Sequence, residues 1–392
     1  MTTRSTLPST VYLLGLTIFS LVTAEFMVAG MMPALAAAFS VSLAQVGNLI
    51  ALYALGMALG GPPVTLLLLA RGVSNKRALV GLLAVYVVAG ALAAAAPSYT
   101  VLALARILMG VSSAACIGLC MTLCAGLVAP HARGKAVSVV LAGLMLSPVA
   151  GVPMTAWAEH HFGWRASSWL VVALALICTA LAASRLPTVA AGSEPALGRQ
   201  WAALKNRSLW AAYVTSGLII GATFAAFSYC TPILIQEVGI APEHVAPLLA
   251  LYGVANLVGN MLVGRIADSH TLPALGWGLA LLVLALTGFA LAGDHLWLNL
   301  GCFIAVGLTG VALNPAMVAR VMKAAEPGAL VNTLHTSVIT AGLAFGSWAG
   351  GSVIDAGYGL RAPLWVGAGM ALLGLLSLAR PWPARAVVKP CA

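Results

Sequence analysis

Polar residues along this chain do not alternate with apolar ones; they interrupt them. From Val11 onward, nearly uncharged stretches each end at a short cluster of Pro, Gly, Ser or basic residues. A stretch of ~20 such residues, wound as α-helix, crosses the ~30 Å hydrocarbon layer of a bilayer. Ten-residue alternations, the mark of a membrane barrel, do not recur. Breaking the sequence at its clusters predicts twelve helical spans. Six run over 11–38, 44–69, 78–96, 99–129, 135–158 and 166–186, and six over 208–236, 244–267, 272–292, 296–322, 328–354 and 361–380. The expectation is an all-α polytopic membrane protein with an N-terminal six-helix bundle (1–186), a linker (187–207) and a C-terminal six-helix bundle with a short tail (208–392).

Composition agrees with the pattern. Of 392 residues, 61% are hydrophobic and 7% charged, whereas soluble domains carry about a quarter charged residues. The net charge of +10 would suggest nucleic acid in a soluble chain, but its placement gives another account. With both termini inside, Arg4, Arg71, Lys76, Arg77, Arg133, Lys135, Arg185, Arg199, Lys205, Arg207, Arg265, Arg320, Lys323, Arg380, Arg385 and Lys389 fall on the cytoplasmic side. The outer side holds Arg165 and Arg361, with the acids Glu159, Glu237, Glu243, Asp294 and Asp355. That asymmetry follows the positive-inside rule and predicts a bacterial-type inner membrane protein with cytoplasmic termini, in contact with the lipid bilayer and not with nucleic acid. The apolar stretch after Arg4 is too long for a signal peptide and reads as a retained first span. Seven cysteines without a Cys-x-x-Cys pair indicate neither a disulfide framework nor a zinc site. Cys116, Cys120 and Cys124 share one helix face and read as small packing residues. No phosphate-binding glycine loop, metal-ligand set or Ser-His-Asp pattern stands out, so the chain is not expected to be an enzyme and needs no cofactor beyond a coupling proton.

The two sets of spans repeat each other. Tyr53 and Gly60 correspond to Tyr252 and Gly259, and Gly143–Gly151 to Gly342–Gly350, both 199 residues apart; Phe162-Gly-Trp-Arg-Ala corresponds to Tyr358-Gly-Leu-Arg-Ala, 196 apart. Matches in register point to duplicated halves of the kind that rock about a central site. With Glu25-Phe26, Gly30 and Pro33, Ala105-Arg106 with Gly110, Gly143 to Pro153, and Gly163-Trp164-Arg165, the chain resembles a major facilitator superfamily transporter over essentially its whole length. Within that superfamily it is similar to the twelve-span drug:proton antiporters, in the branch of sugar-, nucleoside- and chloramphenicol-efflux proteins. The resemblance implies two pseudo-symmetric six-helix bundles, the major facilitator fold, and a small-molecule substrate handled by a monomer.

Two motifs depart from the family's pattern. The loop after the second span keeps Gly60, Arg71, Lys76 and Arg77 but lacks the family's acid; the second copy, Gly264, Arg265 and Asp268, keeps the acid and lacks the basic cluster. A charge lock between the halves is therefore expected to be weak on the first-half side. In the fifth span, Gly143, Ser147, Pro148, Gly151 and Pro153 resemble the antiporter motif of exporters. Small residues four apart let helices approach closely, and Pro148 removes a backbone hydrogen bond and bends the helix. A generic packing seam is the other reading of the same residues.

Charge inside the spans is the sharpest chemical signal. Arg106 alone among Lys and Arg falls deep in a span, and buried charges usually face a cavity or a partner. At ~1.5 Å per residue, Arg106 lies ~10 Å and Glu25 ~9 Å from the outer boundary, so the two opposite charges share a depth. Two readings stand: Glu25 titrates while Arg106 modulates it, or the two form a permanent structural ion pair. His335 is a further candidate for proton coupling, or a hydrogen-bonded packing residue. Met31, Phe224, Phe227 and Tyr229 suit an adaptable apolar cavity, with Asn48, Tyr53, Asn256 and Asn314 as polar contacts. The expected function is proton-coupled efflux of a small, neutral or weakly cationic molecule by alternating access. The alternative is a proton-independent facilitator, or an inward symporter, for a sugar or nucleoside.

Overall fold

The computed structural model describes residues 7–129, 132–187, 204–325 and 329–379. Arg4, Arg199, Arg380, Arg385, Lys389, most of the 187–207 linker and the C-terminal tail lie outside the described residues. Regular structure among the described residues is helical: α1 (Ser9–Gly30), α2 (Met32–Phe39), α3 (Leu43–Ala70), α4 (Asn75–Ala94), α5 (Tyr99–Leu127), α6 (Arg133–Leu146), α7 (Val152–Arg185), α8 (Arg207–Phe227), α9 (Val245–Ile266), α10 (Thr271–Leu291), α11 (Leu296–Thr309), α12 (Asn314–Ala324), α13 (Ala329–Asp355) and α14 (Ala362–Ala379), with short π and 3₁₀ turns between them.

Ten segments are long and apolar enough to cross a membrane, and Ala362–Leu378 is a shorter apolar helix. One of the ten, Arg133–Arg185, has 53 residues, or ~80 Å of helix, far more than a bilayer needs. It doubles back at Gly163, whose φ of 82° is the left-handed region that glycine enters freely. Ser167 Oγ donates to Thr155 O at 2.8 Å, two positions that a straight helix would hold ~18 Å apart. The two legs of this segment are the fifth and sixth spans, and the described residues thus supply the twelve crossings. Their lipid-side surface carries exposed Leu59, Leu66, Leu104 and Leu284, with Trp277 and Trp297 near helix ends, the placement of an interfacial aromatic belt.

Three spans expected to be continuous are broken. The first bends at Met31 (φ −113°, ψ 19°) and the seventh at Tyr229 (φ −108°, ψ 10°). Pro33 and Pro232 follow these bends, 199 residues apart; a proline has no N–H to donate and its ring clashes with the carbonyl four residues back. The tenth span breaks at Gly310 (ψ −103°), passes through a 3₁₀ turn at Val311–Leu313 and resumes at Asn314-Pro315. The fifth span stays helical but widens to a π turn over Ser147–Gly151, which absorbs the bond lost at Pro148.

Small residues set the helix spacing. A Cβ on Gly110 would fall on the Tyr53 carbonyl, locking α5 to α3, and one on Gly143 would fall on the Gly15 carbonyl, locking α6 to α1. In the C-terminal bundle Gly342 and Gly346 meet the backbone of Gly217 and Gly221 in the same way. The two bundles touch through α3 against α13 and through the fifth span against α9.

Candidate functional site

Arg106 projects from the outer third of α5 into the N-terminal bundle and is buried. Its Nη1 donates to Ala24 O at 2.6 Å, Nη2 to Glu25 O at 3.0 Å and Nε to Leu49 O at 3.3 Å. Its guanidinium carbon lies 4.2 Å from the centroid of the Tyr53 ring, a cation–π contact, and Tyr53 donates to Leu21 O at 3.2 Å. One side chain thus ties α5 to α1 and α3, and its charge is satisfied by carbonyl dipoles. Glu25 is also buried and shares that depth, as the rise per residue predicts. It meets Arg106 through its backbone: among the described residues the ion pair present is Arg361–Glu237, and none joins Arg106 to the Glu25 carboxylate.

Phe26, the next residue, crosses to the other half. Its ring lies 5.1 Å from that of Phe224 and 6.3 Å from that of Phe227. From Phe227 the stack continues to Tyr252 at 4.9 Å and Phe303 at 5.0 Å, and the carboxamide-bearing Asn256 is buried one turn further along α9. Toward the outer face Tyr229 is fully buried and donates to Ser347 O at 2.7 Å. Its hydroxyl leaves no room for a Cβ on either Gly47 of α3 or Gly351 of α13. Ala44 also meets Gly351, and the Pro148 carbonyl leaves no room for a Cβ on Gly253 of α9. All these contacts fall in the outer half of their helices, so the halves are sealed together on that side.

The fifth-span motif packs on the first span and on the other half. Ser147 Oγ accepts from Thr23 Oγ1 at 3.2 Å, a Cβ on Gly151 would strike Thr23, and Pro148 carries the contact to α9. Pro153 opens α7 directly after the π turn. The loop motifs are at the cytoplasmic surface. Arg71, Arg77, Gly264, Arg265 and Asp268 are exposed and Gly60 and Lys76 half-buried; Asp268 gives its backbone carbonyl to Lys323 at 2.7 Å. No ion pair joins these charges among the described residues.

The remaining predicted residues scatter. Met31 and Tyr53 point within the N-terminal bundle, Met31 lining a cavity there with Met27 and Met109. Asn48 and Asn314 are half-buried. His335 is far from Glu25 in the fold's C-terminal bundle, stacked on Tyr213 with centroids 5.7 Å apart and 3.0 Å from Ser216 Oγ. Residues that the sequence reading passed over include Phe26 as a bridge between the halves, Pro33 and Pro232 as paired breaks, and Tyr86, which the structure sets beside Arg106. The 199-residue offset of the prolines was the signal available for one of these.

The Major Facilitator Superfamily model matches residues 14–329 and 220–390. The chain belongs to this superfamily. It is similar to the inner membrane transport protein YdhP of Escherichia coli K12, 33% identical over 370 residues that cover 93% of this chain and 94% of that one. It is also similar to a chloramphenicol resistance protein of Streptomyces lividans, 28% identical over 392 residues covering 98% of each. Among solved structures, the bacterial homologue of the human lysosomal transporter Spinster, in its inward-facing unoccupied conformation, superimposes with a TM-score of 0.76 at 16% identity, covering 94% of this chain and 96% of that one. Superfamily membership makes the chain a secondary transporter of the inner membrane, not an enzyme, with a small-molecule substrate.

Proposed function

We propose that this transporter exports a small, neutral or weakly cationic molecule of drug, sugar or nucleoside type in exchange for protons. The observation that carries the proposal is the state of Glu25. Arg106 is held by three carbonyls, so among the described residues the buried carboxylate has no ion-pair partner, and it sits one residue from the Phe26 bridge between the halves. A carboxylate in that position changes its proton affinity whenever the halves move and its surroundings change from protein to water. Protonation from outside would then accompany the return of the empty carrier. The span-5 motif packed at the interface and the chloramphenicol resistance relative support export over import.

Chloramphenicol-type drugs, nucleosides, sugars and lipophilic cations form the first substrate panel, sorted by thermal shift of the purified protein. For a ligand that binds, transport into proteoliposomes under an imposed pH gradient is expected to follow the gradient and to lose that dependence in Glu25→Gln. Counterflow indifferent to pH in the wild-type protein would favour a facilitator instead.

A further inference from the structure

A cavity of about 30 Å³ lies inside the N-terminal bundle, apart from the interface between the halves. α1 and α2, α4, α5 and the second leg of α7 surround it. Leu35, Ala93, Leu102 and Trp164 close its outer end, and the Trp164 ring is braced by Phe39 at 5.3 Å and by the Arg165 guanidinium at 4.3 Å. The surface facing the void is almost wholly apolar. Its polar neighbours are engaged or turned away. Arg106 donates to three carbonyls, Ser168 Oγ donates to Trp164 O, and the Tyr86 hydroxyl is buried and presents no surface to the void. A void without polar partners stays dry and takes apolar guests.

The duplicated half shows which groups suit this place. α4 and α10 correspond: Ala78, Leu79, Leu83 and Ala89 match Ala274, Leu275, Leu279 and Ala285, all buried, at the 196-residue offset that also relates Arg165 to Arg361. In the same register Gly90 and Ala93, which line the void, correspond to Leu286 and Phe289. Both of these are buried. Leu286 packs so close to Gly367 of α14, the counterpart of Val171, that a Cβ there would stand 3.2 Å from it, and the Phe289 ring lies 6.2 Å from that of Phe303. The second bundle thus places an isobutyl group and a phenyl ring where the first has a hydrogen and a methyl. Trp164 and Val171, where the second bundle has Leu360 and Gly367, make up part of the difference, and the void is the remainder.

A water-sized probe takes up roughly 10–15 Å³, so about two methyl-sized groups fit as the walls stand. Met27, Met31 and Met109 are among those walls, and their flexible thioether chains can turn to admit a larger group. Met27 precedes the bend of the first span at Met31 and Leu35 follows it, so a guest touches both pieces of that span. We propose that the void is a dry binding site for a hydrocarbon group, alkyl or phenyl, which takes the place that Leu286 and Phe289 fill in the second bundle. The group comes from a free lipophilic solute or from the end of a lipid chain. Its binding is independent of whether Glu25 couples protons.

Xenon, an apolar atom located by its anomalous X-ray scattering, is the probe. In crystals of the full-length protein pressurised with xenon, a peak is expected in the cavity, in contact with Met31 and Met109. Ala93→Phe, which installs the second bundle's ring, should remove that peak and leave any peaks elsewhere; Ala93→Leu serves if the phenylalanine variant does not fold. Unpressurised crystals separate the two sources. Density running from the cavity to the lipid-facing surface assigns the site to an acyl chain, and a void that stays empty until xenon enters assigns it to free solutes. Ordered water in the cavity, or neither xenon nor chain density there, would overturn the proposal; so would a xenon peak that both substitutions leave in place.

Discussion

Arg106→Gln and Glu25→Gln discriminate between two ways of holding the first span to the fourth. The guanidinium donates to the carbonyls of Ala24, Glu25 and Leu49, and no ion pair joins it to the Glu25 carboxylate. Hydrogen bonds from a charged donor contribute about 1.5–3 kcal/mol each, or about 5–9 kcal/mol for three. Removing the charge also returns its desolvation cost of several kcal/mol, which leaves a net loss of about 2–4 kcal/mol for Arg106→Gln. Glu25→Gln keeps the shape of a carboxyl that carries its proton in the absence of ligand and breaks no ion pair, so stability should change by less than about 1 kcal/mol. The double-mutant coupling energy should likewise stay below about 1 kcal/mol. Had the two formed a buried ion pair, losing the carboxylate alone would cost about 3–5 kcal/mol and the coupling would be of similar size. Unfolding of the four purified proteins by SDS in mixed micelles measures these quantities. A coupling energy of about 3 kcal/mol or more would refute the carbonyl-clasp reasoning.

Three further perturbations follow from the packing. Gly143→Val places atoms on the Gly15 backbone, which cannot yield, and should abolish recovery of monodisperse protein, whereas Gly118→Ala, with nothing within 4 Å, should leave stability within about 0.5 kcal/mol; size-exclusion profiles and unfolding midpoints check both. Tyr229→Ala removes the side chain wedged between Gly47 and Gly351 and should shift the population toward outer opening. Spin labels at exposed Ser42 and Ser352 should then show a longer distance by pulsed electron resonance, and an unchanged distance would contradict the seal. Arg361→Gln loses bonds to Phe289 O at 2.9 Å and Gly293 O at 2.8 Å besides its pair with Glu237 at 3.2 Å. Because the half-exposed ion pair contributes only ~0.5 kcal/mol and is screened at about 1 M salt, most of the thermal destabilisation should persist in high salt.

The crossings were legible because each is written locally, as a long apolar run closed by Pro, Gly or basic residues. The fold-back at Gly163 was legible for the same reason, since His160-His161 and Arg165 interrupt the run there. The breaks at Met31, Tyr229 and Gly310 were not, because composition continues unchanged through them and a proline inside a membrane helix bends it in some settings and ends it in others. At the site, depth counting brought Glu25 and Arg106 to one level. It could not tell which atoms meet, since a buried guanidinium is satisfied equally by a carboxylate or by carbonyls on a neighbouring helix, and rotation about the helix axis decides. Phe26 was passed over because half of the aromatic bridge lies some 200 residues away, at Phe224 and Phe227.

Proton release on ligand binding tests the central claim most directly. Purified protein in weakly buffered detergent solution, with a pH indicator present, is mixed with a ligand found by thermal shift. The account predicts proton release by the wild-type protein as the ligand displaces the proton on Glu25, and undiminished ligand binding without release by Glu25→Gln. Equal proton release from both proteins would contradict it.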